Sequence, residues 1–76
     1  MDSMQKFYVN VRENLVDDCP IPDGFRISTH EVFLPVSLRL DEIIINVASE
    51  ISKTYSDERP PEVKDYKIQS IIVAFD

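Results

Sequence analysis

The 76-residue chain contains one glycine (Gly24), one cysteine (Cys19), one histidine (His30) and no tryptophan. A lone glycine excludes a glycine-rich phosphate cradle, and no G-x-x-x-x-G-K-[ST], G-x-G-x-x-G or G-x-S-x-G motif occurs. A lone cysteine excludes an intramolecular disulfide, and a lone histidine excludes a two-histidine metal site. Cys19 sits between Asp18 and Pro20 with Asp17 close by, and the carboxylates disfavour its thiolate, so it reads as a fortuitous thiol. Asp17, Asp18 and Asp23 lack the D-x-[DN]-x-[DN]-G spacing and terminal glutamate of a calcium loop and read as solvated carboxylates. No metal, cofactor or catalytic residue is expected, and a chain of this size has little room for a pocket of ordinary ligand volume. There is no apolar run of transmembrane length, no signal-peptide pattern and no N-x-[ST] acceptor. The expected setting is the cytoplasm, away from the membrane.

Positive charge is also scarce. Eight basic residues stand against fourteen acidic ones, a net charge of -6. The basic residues are scattered singly, so no patch offsets the repulsion from nucleic-acid phosphate or anionic lipid. What the chain does have is 43% hydrophobic residues, including seven aromatics, which is enough for an ordered single domain spanning residues 1–76. Small domains bury a smaller share of their surface, so its core must be efficient.

Hydrophobic periodicity then sets the order of elements. Phe7, Val9 and Val11 alternate with Tyr8, Asn10 and Arg12, which predicts a strand over residues 6–12 with one buried face. The stretch "ENLVDDCPIPDG" is rich in turn formers and predicts a loop ending at Gly24. A second extended segment is expected from Phe25 to about Leu38. Pro35 has no N–H for a central ladder, so this strand belongs at an edge or carries a bulge or break there. Phe25 and Ile27 have the opposite parity to Val32, Leu34 and Val36, which a bulge near Thr29 and His30 would reconcile.

A helix capped by Asp41 or Ser37 and running to about Tyr55 is expected next, with Leu40, Ile43, Ile44, Val47, Ala48, Ile51 and Tyr55 on one stripe. Ile45 falls outside that stripe. After Pro60 and Pro61, the β-branched run in "DYKIQSIIVAF" is apolar on both parities and reads as a central strand covered on both faces, although residues 63–75 also fit a helix by periodicity alone. The expected fold is a small α+β domain of ββαβ order, with one amphipathic helix packed on a three-stranded sheet. The last strand would insert in the middle or pair with the first.

Within this pattern "VSLRLDEII" resembles the ribbon-helix-helix DNA-binding family, in which a short strand precedes a capped helix. The resemblance implies a dimeric regulator with Ser37 and Arg39 projecting from a two-stranded ribbon into the major groove. It covers nine to fifteen residues. The chain departs from the family pattern in the roughly 35 residues before the motif, in Pro60 and Pro61 where a second helix should run, and in the sign of its net charge.

One helix leaves apolar residues in excess. The sheet face away from it would display Tyr8, Phe33, Ile71, Val73 and Phe75, with Tyr66, Ile68, Ile72 and Ala74 as the alternative parity, and Ile45 would project from the outer side of the helix. Exposed apolar patches mark interfaces. The expected function is therefore non-enzymatic protein–protein interaction, by a small acidic regulator or inhibitor that meets a basic protein surface. The acidic candidates are Glu13, Asp17, Asp18 and Asp23, then Asp57, Glu58, Glu62 and Asp65. A homodimer is expected alongside this role, or as a structural role on its own. Long surface side chains covering the face are the remaining explanation.

Overall fold

The computed structural model describes residues 3–17 and 24–74. Its elements run β1 (Met4–Leu15), β2 (Phe25–Pro35), α1 (Leu40–Glu58) and β3 (Val63–Val73). The strands form one sheet in the order β2-β1-β3, both outer strands are antiparallel to β1, and α1 packs on one face. This is the ββαβ domain that the periodicity predicts. Because β2 and β3 both oppose β1, they run parallel to each other, and α1 returns the chain to the end where β3 must start.

β1 is the central strand and is longer than its alternation suggests. Phe7, Val9, Val11, Glu13 and Leu15 all point toward the helix and are buried. Glu13 and Asn14 pair with Arg26 and Phe25, so the strand continues three residues into the segment expected to be loop. Gly24 closes the connection with φ +73, where any other residue is strained, and its carbonyl accepts the Leu15 N–H at 2.9 Å. Asp18, Cys19 and Asp23 lie outside the described residues, as does Phe75.

β2 is an edge strand that ends at Pro35, as the proline requires. Its register with β1 runs unbroken from Asn14↔Phe25 to Met4↔Pro35, so the bulge expected near Thr29 and His30 is absent. Parity is constant instead: Phe25, Ile27 and Phe33 face outward, while Arg26, Ser28 and His30 share the helix-facing side with Val32 and Leu34.

α1 begins at Leu40, and Arg39, in an extended conformation, takes the N-cap position expected of Asp41 or Ser37. The Arg39 N–H donates to the Glu42 carboxylate at 3.2 Å, while Asp41 falls in the first turn, where its charge complements the helix dipole. The helix runs past Tyr55 to Glu58 and stops before Pro60 and Pro61. Only Val47, Ile51 and Tyr55 are buried and Ile43 partly so; Leu40, Ile44 and Ala48, expected on the buried stripe, are exposed. The helix leans toward β2 and leaves the inner face of β3 partly uncovered.

β3 is the second edge strand and not the centre of the sheet. Its register with β1 shifts at Asn10/Val11 and at Asn14/Leu15, and the first shift leaves Gln69 without a partner. Each extra residue flips the side-chain parity. Tyr66, Ile68, Ile71 and Val73 therefore share the helix side with their β1 partners, and Ile72 faces outward beside Tyr8. This overturns the expectation that Ile71 and Val73 lie on the outer face, and it explains why the run is apolar on both parities.

Candidate functional site

The inner face divides into an apolar and a polar half. Phe7, Val9, Val11, Leu15, Val32 and Leu34 meet Val47 and Ile51 in the core, together with Val63 from β3. Toward the C-terminal end of α1 the same layer holds Glu13, 3% exposed and the one buried charged residue among those described. The Arg26 Nε donates to its Oε1 at 2.6 Å, the Ser28 hydroxyl donates to Oε1 at 2.9 Å, and the Tyr55 hydroxyl donates to Oε2. Arg26 also reaches Glu62 at 3.0 Å. His30 Nε2 lies 3.0 Å from the Tyr55 hydroxyl oxygen, and Tyr66 stacks on Tyr55 with ring centroids 4.4 Å apart. No buried side-chain polar atom among the described residues lacks a partner.

These contacts set the electrostatics. Burial pushes the Glu13 carboxyl up, but hydrogen bonds from Tyr55, Arg26 and Ser28, with the Arg26 charge, outweigh it and hold the group below the ordinary carboxylate range. Arg26 is raised in turn by Glu13 and Glu62. Burial first, and then the neighbouring carboxylate, pushes the Tyr55 phenol well above its usual value. Glu62 is lowered by its own backbone N–H and by Arg26. The network therefore holds a fixed charge pair and pins α1 to β1 and β2. Glu13, expected on an acidic surface, is an internal residue, and half-buried Glu62 is shared with the same arginine. Asp17, Asp57, Glu58 and Asp65 are exposed.

On the outer sheet face, half-buried Tyr8 and exposed Phe33 lie under Lys6, whose ammonium is 5.6 Å and 5.8 Å from the two ring centroids. Arg12 sits 3.9 Å over the Phe25 ring. Asn10 links Thr29 to Ser70 across all three strands. Cationic stems and amides thus cover part of this face, while Ile27, Phe33 and Ile72 remain 46%, 54% and 50% exposed on it. Ser37 and Arg39, which a ribbon-helix-helix arrangement would place on a strand, lie in the turn and cap after β2.

A second exposed apolar surface lies between α1 and β3. Leu40, Ile43 and Ile44 of α1 and Ile68, Ile71 and Val73 of β3, with Phe7 at the floor, line a cleft of about 430 Å³. Leu40 is 74% and Ile44 52% exposed along its rim. Of the residues expected to contact a partner, Ile71 and Val73 lie in this cleft, Tyr8 and Phe33 lie on the opposite face, and Ile45 stands 67% exposed on the solvent side of α1. Sequence reasoning placed Leu40 and Ile44 in the core. The cue to the polar half was available: Arg26, Ser28 and His30 share parity with Val32 and Leu34. Among the described residues no cluster of His, Cys, Asp and Glu is placed to hold a metal ion, and no helix is long and apolar enough to cross a membrane.

No protein-family model, curated protein or solved structure matches the chain.

Proposed function

We propose that the protein is a non-enzymatic binding module, a small cytoplasmic regulator or inhibitor whose α1 solvent face meets a basic surface on another protein. The observation that carries this reading is the make-up of that face. The helix carries Asp41, Glu42, Glu50, Asp57 and Glu58 against Lys53, with Arg39 and Arg59 at its two caps and Glu42 paired with Arg39. Asp57 and Glu58 fall in the last turn, which holds no basic residue, although carboxylates there oppose the helix dipole. Folding gains nothing from them in that position. Ile45 is exposed one turn from Asp41 and Glu42 and offers an apolar anchor beside them, while Asp57 and Glu58 lie about 18–20 Å further along the helix. The charges steer encounter with a basic partner, and the anchor slows its release.

The test is capture from a nuclease-treated lysate at low and physiological salt, with the wild type beside Asp57→Lys/Glu58→Lys and Ile45→Asp. The expected result is one near-stoichiometric partner with a basic surface, retained less well as salt rises and lost from both variants. The charge reversal should meanwhile raise the melting temperature slightly, because lysines suit a helix C-terminus. Equal retention by all three proteins, or retention of nothing, overturns the reading.

A further inference from the structure

Strands lie about 4.8 Å apart and a helix with its side chains is about 10–12 Å across, so one helix covers roughly two strands. This sheet has three, and α1 leans toward β2, so the inner face of β3 carries the open cleft. The outer edge of β3 is likewise unpaired among the described residues. Its first half is protected as edge strands usually are, by Lys64, Lys67 and the register shift opposite Asn14 and Leu15. Its second half, Ile68–Val73, contains no charge, glycine or proline, and past the unpaired Gln69 it runs regularly along β1. Four of its six residues, Ile68, Ile71, Ile72 and Val73, are apolar and β-branched, and such a segment on an open edge is a template for pairing. Here it lies directly beside the apolar cleft.

We propose that this side of the molecule is occupied by a second copy of the chain, with the two β3 strands pairing antiparallel about a two-fold axis at Ile71. The result is a six-stranded sheet carrying both helices on one face. Charge selects the copy's approach. At a net charge of -6, two copies repel through most faces, and meeting through α1 would bring its carboxylates together. The Ile68–Val73 side is uncharged. With the axis at Ile71 the two Lys67 residues are eight positions apart, about 26 Å along the strands and well beyond the screening length of about 8 Å at physiological salt.

Registry also fits around the axis: Ile71 opposes its own copy on the helix side and Ser70 opposes Ile72 on the outer face, so the faces match over residues 70–72. With the axis at Ile71 the described strands overlap from Ile68 to Ala74, about 23 Å, so the contact is a short backbone pairing flanked by the two apolar clefts. Leu40 and Ile44 of each copy border the joined β3 strands, so the two clefts merge into one apolar strip between the helices. The solvent face of α1 is not used, so this inference stands apart from the proposed partner contact, and the dimer presents both acidic helices on the same side.

Sedimentation velocity on the full chain through the micromolar range tests it. The expected species has twice the 8.8 kDa chain mass. Leu40→Glu and Ile72→Lys alter residues 74% and 50% exposed, so both should keep the wild-type circular dichroism and sediment as monomers, with dissociation constants raised at least 100-fold. Phe33→Lys on β2, and Asp57→Lys/Glu58→Lys on α1, should remain dimeric. A wild type that is monomeric throughout overturns the proposal, as does a dimer that survives both Leu40→Glu and Ile72→Lys or is broken by Phe33→Lys. A dimer that captures no basic partner would count against the proposed function alone.

Discussion

Replacing Arg26 with methionine keeps an unbranched stem of similar reach and removes the charge that faces Glu13. Breaking a buried ion pair by deleting one member costs about 3–5 kcal/mol, because the other charge is left out of water. Two features reduce the figure here. The Arg26 side chain is 34% exposed against 4% for Glu13, so solvent already screens part of the pair, and Tyr55 and Ser28 go on donating to the carboxylate. A loss of about 2–3 kcal/mol follows. For 76 residues at about 0.05–0.15 kcal/mol each, total stability is about 4–11 kcal/mol, so the loss is a substantial fraction of the whole.

Its pH dependence has a definite sign. In the wild type the folded-state pKa of Glu13 lies below its unfolded value of about 4.5, so its contribution is present above that pH and is lost as pH falls through the folded value. In Arg26→Met the hydrogen bond and charge of Arg26, both of which lower the Glu13 pKa, are gone, so the folded pKa is higher than in the wild type and protonation relieves the variant first as the solution is acidified. The gap between the two proteins should be full at pH 7 and smaller at pH 4, and it closes only as pH falls through the folded value of the wild type. Urea unfolding followed by far-ultraviolet circular dichroism at the two pH values measures it. A gap under about 0.5 kcal/mol at pH 7, the ordinary size for a surface change, or a gap that persists unchanged in acid, refutes the argument. Glu13→Leu/Arg26→Met, which removes both charges, should recover only part of the loss, because Tyr55 and Ser28 then lose their acceptor.

Ile51→Ala should cost about 2–5 kcal/mol, since the side chain is fully buried between helix and sheet, whereas Leu40→Ala should cost under about 0.5 kcal/mol in the monomer; chemical denaturation of the dilute proteins separates the two. Gly24→Ala should lower stability by about 1–2 kcal/mol through backbone strain alone, because φ is +73 and open space surrounds the position where a Cβ would stand. A melting temperature within error of wild type would show that the turn does not need its left-handed residue.

Element order and type could be read from the chain because each has a local signature. Alternation in Phe7–Val11 marks β1, a 3.6-residue repeat in Ile43–Tyr55 marks α1, and prolines 60 and 61 end the helix. The failures have one kind of cause: a distant partner overrides local chemistry. Glu13 reads as a solvated loop residue until Arg26 and Tyr55 are seen to satisfy it, and with Glu13 goes the true end of β1. Arg26, Ser28 and His30 hid the constant parity of β2 because their inward position is tolerable only with that carboxylate beneath the helix. The face of each residue in β3 depends on Gln69 having no partner on β1, and one strand's sequence cannot show that. The exposure of Leu40 and Ile44 depends on where α1 lies across the sheet, which its own periodicity does not determine. Ile45 was identifiable on the solvent side because its angle on the helix is a local property.

The position of α1 links the polar network to the open cleft. Burial of apolar surface is non-directional, so an entirely apolar inner face would favour the helix sliding toward β3 and covering Leu40 and Ile44. Hydrogen bonds to Glu13 act at fixed points. Tyr55 must reach Oε2, with His30 of β2 against its hydroxyl and Tyr66 of β3 stacked on its ring. These contacts hold the C-terminal half of the helix to all three strands, while the N-terminal half rests on Ile43 and Val47 and leaves its rim in solvent. A buried charge pair adds little net stability over an apolar one. Its consequence here is geometric: it fixes the C-terminal half of the helix, and the strip of β3 left uncovered beside the N-terminal half is the part of the surface proposed to meet a second copy.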